Sequence, residues 1–266
     1  MFTETPSQAW SLRYGDQASS LPDLGRFLNH RTVRQYSNEP IPEEVIAGLV
    51  AAAQSAATSS NLQLYSMVSV QEPEARKQIA VMCSDQKQIH TCSWFFAFVA
   101  DHFRLAKAAK EAGQNPAGLD YLEFFTMAAI DAALAAERMV CAAESLGIAS
   151  CYIGALRNDP VGVRDLLGLP SQTYGLFGLC LGYPAEDAKA EIKPRLKQPA
   201  IWFREKYDEN PDIAEYNARM KEFYESQGMS GDVDWSMRSG RRVDGNHMSG
   251  RDSMLDYVRE QGFLKR

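Results

Sequence analysis

Short apolar runs that alternate with helix-periodic segments predict an α/β or α+β fold. Three observations carry this expectation. The 266 residues are 45% hydrophobic and 23% charged, ordinary values for a folded soluble protein and unlike a disordered or fibrous one. That length suits one large domain or two small ones. Tyr65–Val70, Ser93–Ala100 and Tyr174–Tyr183 are short, apolar and rich in aromatic or branched residues, as buried strands are.

The elements follow in order. Residues 1–20 are polar and read as a loose arm, and Leu24–Asn29 as a short helix. Pro42 followed by Glu43 and Glu44 is a helix start, because proline suits the first helical position and acids favour the positive end of the dipole. That helix runs to about Ala57, with Val45, Ile46, Leu49, Val50 and Ala53 on one stripe. Residues 57–61 form a small-residue loop. Pro73–Met82 reads as a helix, and a polar segment with Gly113, Pro116 and Gly118 follows Ala100. Tyr121–Gly147 is Ala-rich and apolar nearly all round, so it must be buried in a core or against a second chain. Gly147 ends it. Ala149–Ala155 is a short strand or turn. Val161–Leu167 is a helix stopped by Gly168 and Pro170. Ile213–Gln227 is a charged amphipathic helix, Gly228–Gly250 a linker, and Asp252–Gln261 a final helix.

The net charge is −6, a poor match to a dedicated nucleic-acid binder. The longest apolar stretch, Trp94–Ala100, is far short of the ~20 residues of a membrane helix. Met1–Ser20 lacks the basic start and apolar centre of a signal peptide. The five cysteines, Cys83, Cys92, Cys141, Cys151 and Cys180, have no CxxC spacing and read as buried free thiols. No zinc or other metal set is expected, and a reducing cytoplasm is.

The sequence contains no GxGxxG, Walker loop, HExxH or GxSxG. It does contain two basic clusters: His30, Arg31 and Arg34 around Thr32, and Lys193–Pro194–Arg195. Each is either solvated surface charge or half of a phosphate clamp, in which guanidinium forks and an ammonium meet the oxygens.

The order of segments is more specific than any one of them. HisArgThrValArgGlnTyrSerAsnGluProIlePro (30–42), AlaAlaGlnSerAlaAlaThrSerSerAsnLeuGln (52–63), TyrIleGlyAlaLeuArgAsn (152–158), LeuPheGlyLeuCysLeuGlyTyrPro (176–184) and LysProArg (193–195) occur colinearly. This pattern resembles the flavin-dependent nitroreductases, above all the oxygen-insensitive NADPH-type enzymes and related flavin reductases. The resemblance spans about Phe27 to the C-terminus. It implies an α+β nitroreductase-like fold, a mixed central sheet flanked by helices, and an intertwined homodimer. The expected organisation is an N-terminal arm (1–26), an FMN-binding domain (27–198) and a C-terminal helical extension (199–266) that wraps the partner subunit.

The resemblance also implies site residues. His30, Arg31 and Thr32 would lie near the FMN phosphate and ribityl chain, with Lys193 and Arg195 completing the clamp. Arg34 would sit at the pyrimidine edge, where a cation stabilises negative charge on the ring. Thr58, Ser60 and Gln63 would contact flavin from the partner chain, and Gln86 would also contact it. Tyr152, Ile153, Gly154 and Ala155 would form the turn whose N–H faces flavin N5, with glycine allowing close approach. Thr58 and Ser60 equally suit a helix end, and Tyr152 a core position. Asn61 and Arg251 would border the substrate, although Arg251 also suits a helix start on the surface.

The implied reaction is ping-pong. NAD(P)H delivers hydride to the flavin, and a nitroaromatic or quinone then takes two electrons on the same face. A flavin reductase supplying a monooxygenase, another specialised flavoenzyme, and a non-catalytic flavin-binding protein are the other readings. Gln227 stands where the NADPH-preferring relatives carry an arginine, and Asp232 and Asp234 lie nearby. Arg238, Arg241 and Arg242 could supply the missing charge.

Overall fold

The structure is a computed structural model, and it describes residues 4–17, 24–229, 231 and 233–266. In chain order the elements are α1 (Pro6–Tyr14), α2 (Gly25–Leu28), α3 (Glu43–Gln54), β1 (Tyr65–Ser69), α4 (Pro73–Met82), α5 (Lys87–Thr91), β2 (Trp94–Asp101), α6 (Phe103–Glu111), α7 (Leu122–Ser145), β3 (Ala149–Ile153), α8 (Pro160–Leu167), β4 (Thr173–Gly182), α9 (Ala214–Ser226), α10 (Trp235–Arg242) and α11 (Met254–Glu260). Met1–Arg31 and Ala190–Met248 form one compact unit, and Thr32–Lys189 with Ser249–Arg266 the other. Among the described residues no helix is long and apolar enough to cross a membrane.

The larger unit is built on a four-stranded sheet in the order β1-β2-β4-β3. Every neighbouring pair is antiparallel, where a mixed sheet was expected. The reason is the crossover. Strand–helix–strand alternation places β2 and β3 in the same direction, but β4 inserts between them and opposes both.

β4 shifts register by one residue opposite Phe98 and Val99. The shift changes which positions face the helices. Tyr174 and Leu176 before it, and Leu179 and Leu181 after it, therefore all join Phe96, Phe98 and Ala100 in one core. On the other face the glycines of β4 are spacing devices. A Cβ on Gly178 would lie 2.4 Å from the Phe95 ring, and one on Gly182 would lie 2.6 Å from the Tyr36 ring.

α7 packs on this core through Ala128, Ala132, Ala135, Ala136 and Ala143, whose small side chains let the helix approach closely. Its opposite face leaves Ile130 and Leu134 about half exposed. One residue of the buried stripe is polar: Asp131, fully buried. Its two carboxylate oxygens accept the backbone N–H of Ser59 at 2.9 Å and of Leu64 at 3.1 Å. The loop between them holds Ser60, Asn61 and Gln63 at positive φ. The carboxylate satisfies N–H groups that this bent backbone leaves unpaired.

Several short helices depart from expectation. α1 replaces the loose arm over the residues described there. Thr5 accepts from the N–H of Gln8 while the Gln8 side chain accepts from the N–H of Thr5, a capping box with Pro6 at the first helical position. α5 lies in a stretch to which the sequence assigns no element, and α6 in the polar segment that precedes Gly113. α10 occupies part of the expected linker, started by Asp234 accepting from Met237 N–H. Cys141 is only half-buried, whereas the other four thiols are buried as expected.

Asp131→Ala removes both acceptors of the 58–64 loop. It is expected to lower the unfolding free energy by about 2–4 kcal/mol, read from urea denaturation, while Asp131→Asn, which keeps one acceptor, costs less. Equal stability of Asp131→Ala and the parent would refute this account of the loop.

Candidate functional site

The smaller unit holds His30, Arg31, Lys193 and Arg195, and the buried Arg13 ties three of these segments together. The Arg13 guanidinium donates to the carbonyl oxygens of Leu28 at 2.8 Å, Lys193 at 3.4 Å and His30. The Arg13 carbonyl in turn accepts the N–H of Arg195 at 2.8 Å and a guanidinium N–H of Arg219. Segments far apart in sequence are thus tied together through backbone carbonyls, which leaves the side chains of Lys193 and Arg195 exposed. Arg31 differs. It is buried and donates two hydrogen bonds to Glu4, at 2.6 and 3.2 Å. This fork holds the Glu4 carboxyl below the ordinary carboxylate range.

Lys193 and Arg195 open onto a cavity of about 710 Å³ lined also by α9 and α10. His30 and Arg31 are not among its walls. Gln227 caps α9 and gives its amide N–H to Glu191 at 2.9 Å, so it brings no charge. Asp232 lies outside the described residues.

The larger unit holds the other expected residues. The Val33 N–H donates to Ser150 O at 3.1 Å, which sets Thr32 and Arg34 beside β3. Tyr36 bridges to Pro184, and its hydroxyl closes the segment on Val33 O at 3.0 Å. Arg34 is exposed and has no carboxylate partner among the described residues. At the end of β3, Ile153 is fully buried while Gly154 and Ala155 open a single 3₁₀ turn at half-exposed positions. A Cβ on Gly154 would meet nothing closer than Arg157 Nη2 at 3.5 Å, and its φ is not positive. No protein atom therefore requires glycine there, and the flank it leaves open suits a closely approaching ligand.

Tyr152 is partly exposed. Its hydroxyl donates to Glu137 at 3.2 Å, and its ring stands edge-on to Phe177. Burial, and then the Glu137 carboxylate, hold the phenol well above the ordinary tyrosine range. Thr58, Ser60, Asn61 and Gln63 all belong to the loop pinned by Asp131, with Asn61 accepting from Gln63 at 3.4 Å. Arg104 on α6 supports the far side of that loop, donating to Tyr65 O at 2.8 Å and Ser66 Oγ at 2.9 Å. Gln86 is engaged at both ends of its amide, with Cys83 O at 3.0 Å and Gln88 at 2.6 Å. Arg251 donates to Asn158 at 2.9 Å, just past the Gly154 turn, so it is held in place rather than left on the open surface.

Sequence reasoning missed Asp131, Arg13 and Arg104, which position the site without belonging to it. Only Asp131 left a signal, as a lone acid on the apolar side of an Ala-rich helix.

Comparison with known proteins adds the family. The model described as "Nitroreductase family" matches residues 28–183, and its C-terminal domain model matches residues 193–266. The chain is 35% identical over 245 residues to the FMN reductase (NADPH) of Bacillus subtilis, covering 90% of this chain and 96% of that one. Among solved structures it is similar to Bacillus megaterium NfrA1, with a TM-score of 0.84, 34% identity, and coverage of 90% and 98%. It is also similar to the NADPH:FMN oxidoreductase of Vibrio harveyi complexed with NAD+, with a TM-score of 0.80, 29% identity, and coverage of 91% and 98%. Matched along both its segments and over nine-tenths of its length, this chain belongs to the nitroreductase family.

Proposed function

We propose that this protein is an FMN-dependent NAD(P)H oxidoreductase that passes two electrons to nitroaromatics, quinones or free flavin and works as a homodimer in the cytoplasm. The observation that carries this reading is the end of β3. There an exposed Arg34 stands on the segment that Val33 ties to the strand, and Gly154 leaves its flank open. A planar ring needs that open backbone, and a ring that gains negative charge needs that cation.

The residues fit FMN. Lys193 and Arg195, exposed and fixed through Arg13, would hold the phosphate. Arg34 would stand at the pyrimidine edge, and the Gly154 N–H would face the ring. Thr32 and His30 would donate to the ribityl chain, and Thr58, Ser60 and Gln63 would approach from the partner subunit. FMN, when bound, supplies hydride transfer between the nicotinamide and the acceptor. The chain's own part is to bind, orient and balance charge, which accounts for a site with no acid–base dyad. Asn61 and Arg251 would border the acceptor, with Arg251 restrained by Asn158.

Free flavin belongs among the acceptors because similar proteins are named for it, the FMN reductase (NADPH) of Bacillus subtilis among them. Dimerisation is supported by the half-exposed Ile130 and Leu134 on α7, an apolar face that a second chain would cover. Exposed Ile201, Trp202 and Tyr207 support a role for the 199–266 extension in wrapping that partner.

The purified protein is expected to be yellow, with the absorbance of bound FMN. It should oxidise NADH or NADPH in the presence of nitroaromatics, quinones or free FMN. A colourless protein that neither takes up FMN nor oxidises either nucleotide would sink the reading. Arg195→Ala is expected to weaken FMN binding about 10–100-fold, the loss that goes with one charge-assisted hydrogen bond. Unchanged FMN affinity removes Arg195 from the clamp. Light scattering should give a dimer, and a monomer that still holds FMN would contradict the proposed interface.

A further inference from the structure

Gly154 opens a 3₁₀ turn that runs to Asn158. In such a turn the side chains at positions i and i+3 eclipse. Residue 157 therefore lies over residue 154, and here the first is arginine while the second has no side chain. The distances show the result. Arg157 Nη2 is 3.5 Å from the point where a Cβ of Gly154 would stand, and Nη1 is 4.0 Å from it. Chain neighbours aside, no other side chain of the described residues comes within 4 Å of that point. The slot that glycine leaves is bounded by a guanidinium.

Arg157 is fixed in direction. Its Nη1 donates to Leu176 O on β4. The turn that carries it is pinned at its last residue, where Asn158 Oδ1 accepts from Arg251 Nε at 2.9 Å and Nδ2 donates to Ser84 Oγ at 3.1 Å. Arg157 is half-buried, yet no carboxylate pairs with it among the described residues. Asp159, two residues on, is used elsewhere: it accepts the Gly162 N–H at 2.9 Å and starts α8. Tyr174, on whose phenol the Arg157 charge bears, is pushed up to about 12 by burial and stays neutral. A guanidinium partly withdrawn from water and unmatched by charge is poised for an anionic partner.

The flank of Gly154 is where the proposed function seats the flavin ring. A ring that takes up hydride gains negative charge, and an oriented cation beside it favours that state. The effect grows where the ring displaces water, because the local dielectric falls. We infer that Arg157 is a second cation on the flavin ring, distinct from Arg34, which acts at the Gly154 flank and stabilises the reduced ring. The inference rests on the FMN reading above. It also gives the glycine a purpose. A methyl group at 154 would fit the protein, at an ordinary contact distance from Arg157, but it would fill the space through which the guanidinium reaches the ring.

The test measures the reduction potential of bound FMN, by equilibrium titration against a reference dye, in the parent and in Arg157→Gln, Arg157→Met and Arg157→Lys. Glutamine and methionine remove the charge. The affinity for reduced relative to oxidised FMN should then fall about tenfold, which for a two-electron couple is a shift of about 30 mV to more negative potential. Lysine keeps the charge without the fork to Leu176 O, and should keep most of the parent's potential. An arginine that merely ties the turn to β4 would behave differently: all three variants would lose stability while the potential stayed put. An unchanged potential in the neutral variants overturns the inference and leaves the oxidoreductase reading standing. So does an equal loss of affinity for oxidised and reduced FMN, or a lysine variant shifted as far as the neutral ones. Where neither neutral variant folds, the lysine variant decides by the same readout, a parent-like potential supporting the inference and a tenfold shift overturning it. A parent protein that binds no FMN overturns both.

Discussion

The buried carboxylate of Asp131 is the constraint on which the larger unit depends. A charged group at full burial is tolerated only when its oxygens are satisfied, and here both are, by N–H groups of one loop. The pairing works in both directions. It gives α7 a polar anchor within an alanine stripe, and it holds the 58–64 loop in left-handed conformations that non-glycine residues rarely adopt. Because α7 also packs against the sheet, the loop inherits its position from the core rather than from its own sequence.

Arg13 does for the smaller unit what Asp131 does for the larger. Its guanidinium donates to the backbone carbonyls of Leu28, His30 and Lys193, contacts that fix these segments without using their side chains. Lys193 and Arg195 remain exposed for that reason. Arg31 shows the opposite outcome. Its fork is filled by Glu4, and a guanidinium so engaged must leave its partner before it can meet a phosphate.

Much of this was legible in the sequence, for identifiable reasons. The strands and long helices announce themselves by periodicity and by Pro and Gly punctuation. Pro73–Met82 was read without error, and α7 to within two residues at each end. The sheet's strand order was not legible, because alternation of strand and helix records direction but not which strand inserts between two others. α1 was missed although Thr5, Pro6 and Gln8 spell its capping box, and α10 because glycines and arginines together resemble a linker. The colinear motifs identified the family. They could not reveal Asp131 or Arg13 as anchors, since one buried ion gains meaning only when the partners brought to it by the fold are known.

The anchoring scheme also separates what holds the fold from what lies exposed on its surface. Asp131 and Arg13 are buried and bound to backbone, so changes there propagate into the core. The arginines of α10 are exposed, carry no carboxylate partner among the described residues, and sit on a helix of eight residues tied to α9 by the Asn217–Ser236 pair. Substitutions on such a surface have little effect on stability. Charge at this helix can therefore be gained or lost while the strands, α7 and the Arg13 hub stay as they are. The Asn217–Ser236 pair fixes α10 on α9 through side chains that carry no charge, so the helix keeps its place whatever its arginines meet.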